Sequence, residues 1–130
     1  MKTKILVLTH GQVGHSMLKA AKNTLGNIPN GVYALAVDDK PDIESITNFI
    51  TTLLNDNNII NLLILTDLFG STPCNIASQF ANRAENVAAV SGLNFGMLIK
   101  SINYIDLPID ELVSKAVIGG KECIKTCGSK

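Results

Sequence analysis

Lys4-Ile5-Leu6-Val7-Leu8-Thr9-His10-Gly11 opens the chain with four apolar residues in a row, then a histidine, then a glycine. A second stretch repeats the design. Ile59-Ile60-Asn61-Leu62-Leu63-Ile64-Leu65 leads into Thr66-Asp67 and on to Leu68-Phe69-Gly70-Ser71-Thr72-Pro73. Apolar runs that do not alternate with polar residues suit strands covered on both faces, as in a parallel sheet. If both runs are parallel strands, His10 and Asp67 emerge on the same edge of one sheet.

The segments between these runs have a helical period. One helix is expected over about Gly14 to Leu25, with Met17, Leu18, Ala21 and Leu25 on its inner face. A second follows Pro41 with Asp42 as N-cap, and carries Ile43, Ile46, Phe49, Ile50 and Leu53. A third starts at Thr72-Pro73, a capping hydroxyl and then a proline whose missing N–H costs nothing at a helix start. Ile76, Ala77, Phe80 and Ala84 form its stripe. A fourth covers Phe95 to Ile102. A fifth follows Pro108, carries Asp110 and Glu111 in its first turn, and turns Leu112, Val113, Ala116 and Val117 inward. Gly119-Gly120 is expected to break or bend it. Strands are expected at Ile5–Leu8, Val32–Val37, Leu62–Thr66 and Val87–Val90. Strand and helix thus alternate four times, the mark of an α/β domain, doubly wound, with a mainly parallel sheet and helices on both faces.

The 130 residues make one domain, long enough to bury about two-thirds of the unfolded surface. Eleven basic residues balance eleven acidic ones, and no basic run stands out, which argues against nucleic-acid binding. Cys74, Cys123 and Cys127 are odd in number and lack zinc spacing, as in a reduced, cytoplasmic protein. After Met1-Lys2-Thr3-Lys4 the apolar run is too short for a signal peptide, and no stretch reaches transmembrane length. No repeat or linker interrupts the chain. The polar tail from Thr126 to Lys130 is expected to be disordered.

In a doubly wound sheet, function gathers at the carboxyl ends of the strands, where strand order reverses. In the flavodoxin-like order 2-1-3-4 that point lies between strands one and three, the strands that deliver His10 and Asp67. Gly11 and Gly14 allow a tight turn, and the following helix offers free amides to an anion. A carboxylate on one imidazole nitrogen fixes the tautomer and leaves the other nitrogen's lone pair for attack. His10 is therefore either a phosphoryl acceptor or a strand-end histidine capped by backbone. Asp67 either orients it or simply ends a strand in solvent. Gly70, Ser71 and Thr72 can form a nest for phosphate oxygens, without the lysine of a Walker loop. Phe69 is either a docking residue or packing beneath its loop. His15 reads as a surface or packing residue, and Cys74 as a small buried filler or a helix-start thiol. No metal cluster is evident.

Thr9-His10-Gly11 after one strand and Asp67-Leu68-Phe69-Gly70-Ser71-Thr72-Pro73-Cys74-Asn75 after another together resemble the mannose-family enzyme IIA components of the bacterial phosphoenolpyruvate:sugar phosphotransferase system (PTS). Ser91-Gly92-Leu93-Asn94-Phe95-Gly96-Met97-Leu98 and Asp110-Glu111-Leu112 extend the likeness over nearly the whole chain. The resemblance implies a phosphoryl carrier with no cofactor. His10 accepts the group from the phosphocarrier HPr, and Asp67 orients the ring. The group passes to a IIB domain, which gives it to a sugar entering through membrane IIC and IID subunits. It also implies a homodimer with an exchanged edge strand. Two departures stand out: Ser71 replaces the second glycine of the usual loop, and Gly96 replaces a common proline. A serine there is strained if the position needs positive φ. Two alternatives are a phosphocarrier subunit of a dihydroxyacetone kinase and a flavodoxin-like binding module. The latter has only Tyr33 and Tyr104 to stack on a flavin.

Overall fold

The computed structural model describes residues 2–55, 58 and 60–129. Its strands are β1 (Lys2–His10), β2 (Val32–Val37), β3 (Ile60–Thr66) and β4 (Val87–Val90). Its helices are α1 (Val13–Leu25), α2 (Ile43–Leu54), α3 (Thr72–Arg83), α4 (Phe95–Asn103) and α5 (Ile109–Glu122). The strands form one sheet in the order β2-β1-β3-β4, and every pairing is parallel. The expected α/β architecture, including the 2-1-3-4 order, is thus present. Ile59, the first residue of the second apolar run, lies outside the described residues.

Side-chain alternation along the two central strands divides the core into two halves. Ile5, Val7, Leu63 and Leu65 pack with Leu18 and Ala21 of α1, Met97, Leu98 and Ile102 of α4, and Leu112 and Ala116 of α5. Leu6, Leu8, Leu62 and Ile64 pack on the other face with Ile46, Ile50 and Leu53 of α2 and Ile76 and Ala77 of α3. Both faces of β1 and β3 are covered, which is why their sequences read as unbroken apolar runs. Strand β1 reaches back to Lys2, further than its apolar run. The buried Lys4 is accommodated because its ammonium donates to the Leu53 carbonyl at 2.8 Å, at the C-terminal end of α2.

Three local expectations change. The N-cap of α3 is Ser71, so Thr72 is the first helical residue rather than the cap, and the Ser71 side chain makes no capping bond. Gly119-Gly120 does not break α5, which runs on to Glu122. Both glycines are buried against α4. A Cβ on Gly119 would lie 2.8 Å from Lys100 Cβ, and one on Gly120 would lie 2.9 Å from Met97 Cε. They are small because the helices meet there. Gly14 likewise sits inside α1 rather than in a turn; Gly11, at φ 46°, is the turn residue. The expected cap of α2 is present, and α4 has one that the sequence reading did not assign. Asp42 accepts from the Ser45 N–H at 3.1 Å, and Asn94 accepts from the Met97 N–H at 2.9 Å. After α5 the chain has no regular structure up to Ser129.

Candidate functional site at the β1–β3 switch point

Strand register sets the geometry. Leu8 of β1 pairs with Thr66 of β3, so His10 and Asp67 follow directly at the carboxyl ends of neighbouring strands. From β1 the chain crosses to β2 on one side and later to β3 on the other, which leaves a crevice between β1 and β3. His10 and Asp67 meet there. The Asp67 Oδ2 lies 2.9 Å from His10 Nδ1 and also accepts the His10 backbone N–H at 3.1 Å. The His10 side chain is 50% exposed and that of Asp67 18%.

The protonation pattern follows from the donors available. Burial opposes the charge on Asp67. The hydrogen bonds from the His10 ring and backbone, that from its own backbone N–H, and attraction to the ring together outweigh it. Its pKa is therefore lowered from the ordinary carboxylate value of 3.8. An ionised carboxylate only accepts, so the shared proton sits on Nδ1. In the neutral ring the lone pair is then on Nε2, the nitrogen away from Asp67. The arrangement is an imidazole held at one nitrogen and open at the other, which is what a histidine nucleophile requires.

Two loops frame the ring. After Asp67, Gly70 adopts φ 81°, a conformation that a side chain would strain. Ser71 has φ −79°, so serine at the second position of the usual glycine pair carries no strain. The Ser71 N–H and hydroxyl both donate to the Leu68 carbonyl, at 3.3 and 2.5 Å. Helix α3 then begins beside the site. Its first N–H groups have no intrahelical acceptor, and Pro73 supplies none. Thr72 is exposed; Cys74 is buried and adjoins Ser78. On the other side, Gly11 N–H donates to the Val37 carbonyl at 3.1 Å. The loop after β4 is tied in through Leu93 N–H, which donates to the Thr66 carbonyl at 2.9 Å.

The remaining expected residues separate clearly. Phe69 is 83% exposed, so it is not packed under its loop. His15 is an exposed residue in the first turn of α1. Tyr33 stands edge-on to Phe49, and Tyr104 lies between the Lys100 and Lys115 ammonium groups at the far end of α4. Neither tyrosine is placed to stack on a flavin at the switch point. Among the described residues no three His, Cys, Asp or Glu side chains gather as a metal site, and no helix is long and apolar enough to cross a membrane. Sequence reasoning passed over two exposed apolar neighbours of the site, Leu68 at 62% and Val13 at 48%. It also passed over the buried Thr9 hydroxyl, which accepts the Gly14 N–H at 2.7 Å. The signal for Thr9 was there to read: a threonine closing an apolar strand, with a glycine five residues later.

Solved structures with this fold include the mannose/sorbose-specific IIA subunit of a phosphotransferase system from Enterococcus faecalis. It is 22% identical, with a TM-score of 0.87 over 100% of this chain and 98% of that one. A phosphotransferase EIIA component from Streptococcus agalactiae is 23% identical, with a TM-score of 0.84 over 95% and 96%. In sequence, the mannose-specific EIIAB component of Escherichia coli is 29% identical over 132 aligned positions. That alignment spans 100% of this chain and 41% of the relative's length. The sorbose-specific EIIA component of Lacticaseibacillus casei is 24% identical over 85% of this chain and 80% of its own. Residues 4–117 match the EIIA-man family, described as PTS system fructose IIA component, and the chain belongs to that mannose-type family of PTS IIA components.

Proposed function

We propose that residues 1–130 form a single IIA domain that carries a phosphoryl group on His10 between phospho-HPr and a IIB domain during sugar uptake. The observation that carries this reading is the 2.9 Å contact between His10 Nδ1 and Asp67 Oδ2 on a half-exposed ring at the switch point. Nε2 attacks phosphorus as the donor's nitrogen–phosphorus bond breaks. The positive charge that develops on the ring is met by Asp67. In the return step the acceptor histidine of IIB attacks the same phosphorus, and His10 leaves as a neutral imidazole. No cofactor or metal enters the chemistry.

Gly11, Gly70, Ser71 and Thr72 surround the transferred group. Gly11 and Gly70 let the backbone pass close to it, and the start of α3 gives it a positive end of a helix dipole. The Ser71 hydroxyl, already held by the Leu68 carbonyl, shapes the loop and must rotate to donate outward. Thr72 is the freer hydroxyl. Phe69 is the docking residue for both partners. The domain works in the cytoplasm beside the membrane IIC and IID subunits, as a homodimer. Among the described residues the edge strand β4 pairs with β3 alone, and such an edge supports that assembly.

Incubation with phosphoenolpyruvate, enzyme I and HPr, followed by intact mass measurement, tests the assignment. One acid-labile phosphoryl group is expected on the wild-type chain and on His15→Ala, and none on His10→Ala. Labelling of His10→Ala at the wild-type rate removes the assignment.

A further inference from the structure

We propose that Thr9 is a positioning residue for His10, acting through Gly14 of α1. The inference rests on His10 being the phosphoryl acceptor, and it concerns what holds that residue in place. Thr9 is fully buried and lies on the opposite face of β1 from His10, the face of Ile5 and Val7. Helix α1 starts without help from its own cap, since Gln12 makes no side-chain capping bond and no acidic residue stands in the first turn. The missing acceptor comes from upstream. Thr9 Oγ1 takes the Gly14 N–H at 2.7 Å, a capping bond formed across the loop that carries the nucleophile.

The approach is close enough to dictate both partners. A Cβ on Gly14 would lie 2.9 Å from Thr9 Oγ1 and 2.8 Å from Val7 Cγ1. A hydroxyl at position 9 and an absent side chain at position 14 therefore form one device. The rest of the loop is pinned by the Gly11 N–H, which donates to the Val37 carbonyl, and by the His10 N–H and ring, both bonded to the Asp67 carboxylate. The Thr9–Gly14 bond fixes where α1 begins relative to the end of β1. His10 is the next residue in the chain, so a shift of Thr9 swings the ring relative to Asp67. Such displacements are costly, because a misplacement of about 1 Å can lower a rate by about a hundredfold.

Thr9→Val keeps the shape and removes the hydroxyl; Thr9→Ser keeps the hydroxyl and removes a methyl group. Two measurements on the full chain, well below each variant's thermal midpoint, test the proposal. The first is phosphoryl transfer from phospho-HPr. The second is the ¹⁵N NMR signature of the His10 ring across pH, which needs no phosphorylation. Thr9→Val is expected to lower kcat by about tenfold or more with little change in KM. Its ring signals are expected to move from the Nδ1–H tautomer toward the mixture of free imidazole. Thr9→Ser is expected to restore most of both. A Thr9→Val chain that melts earlier but keeps the wild-type kcat and ring signature overturns the proposal and leaves Thr9 a structural cap. If Thr9→Val does not fold, Gly14→Ala decides. It keeps the hydroxyl but forces α1 away from it, and an unchanged ring signature in that variant also overturns the proposal. Absence of labelling in the wild type would instead remove the carrier reading, and the ring signature would still report whether Thr9 positions His10.

Discussion

Asp67 uses one oxygen, Oδ2, for both of its bonds to His10, while its Oδ1 is buried with no protein hydrogen-bond partner. The carboxylate is thus committed to the ring rather than shared with solvent, and Asp67→Asn tests that commitment. Transfer is expected to slow by roughly ten- to a hundredfold, the scale of lost positioning and electrostatic support. The stability effect has a definite sign with pH. The pKa of Asp67 in the folded protein lies below the ordinary 3.8, so its contribution is fully present above that value. It is lost as pH falls through the lower folded value. Denaturant melts of wild type and Asp67→Asn should therefore differ at pH 7 and converge in strong acid. Beneath this pair, Thr66 is 1% exposed, and its hydroxyl has no protein partner. A buried, unpaired hydroxyl costs about 1–3 kcal/mol. Thr66→Val is expected to raise the denaturation midpoint by about 1 kcal/mol of stability; a loss instead would mean that a water holds that hydroxyl. The meeting of His10 and Asp67 was legible in the sequence because each closes an apolar strand. The Thr66 hydroxyl was not, since a threonine ending a strand reads the same whether its oxygen is paired or orphaned.

At the scale of elements, periodicity located the helices and strands, because the helices are amphipathic, β1 and β3 are buried on both faces, and the edge strands β2 and β4 are apolar though only partly buried. What periodicity does not contain is the distance between elements. Gly119-Gly120 illustrates the gap: glycine pairs weaken isolated helices, yet α5 continues through them because α4 packs against its backbone. Gly14 is the same case in α1. The consequence is a prediction opposite to helix propensity. Gly119→Ala gains roughly 1 kcal/mol of intrinsic propensity. Its new methyl group, however, falls 2.8 Å from Lys100 Cβ, an atom fixed to the α4 backbone. Overpacking of that kind costs about 1–3 kcal/mol. A net loss of stability is expected in urea unfolding. Gly120→Ala meets the flexible end of Met97 instead, so its loss should be smaller. If Gly119→Ala is the more stable protein, α4 and α5 do not sit this closely.

On the scale of the whole molecule, strand order turns two distant segments into one surface. Because β1 and β3 are neighbours, the loops of His10 and Asp67 share an edge, and the exposed Val13, Leu68 and Phe69 all belong to those loops or the helix between them. The sequence showed Phe69 in a loop but left open whether the ring faced in or out. That depends on the turn at Gly70, whose φ of 81° no periodicity encodes. If His10 carries the phosphoryl group as proposed, one histidine serves a donor and later an acceptor, and both partners are expected to cover this same apolar collar. Exposed aromatic residues are common anchors of such transient interfaces. Phe69→Ala is expected to slow transfer from HPr and to IIB alike, by about tenfold, the equivalent of about 1.4 kcal/mol of lost contact in each encounter. Its thermal midpoint should stay within a few degrees of wild type, because substitutions on the open surface change stability by only about 0.5 kcal/mol. Stopped-flow transfer with each partner, alongside a thermal melt, separates the outcomes. Slowed transfer with only one partner would mean that donor and acceptor approach His10 from different sides. Unchanged transfer with both would move the docking face away from Phe69 altogether.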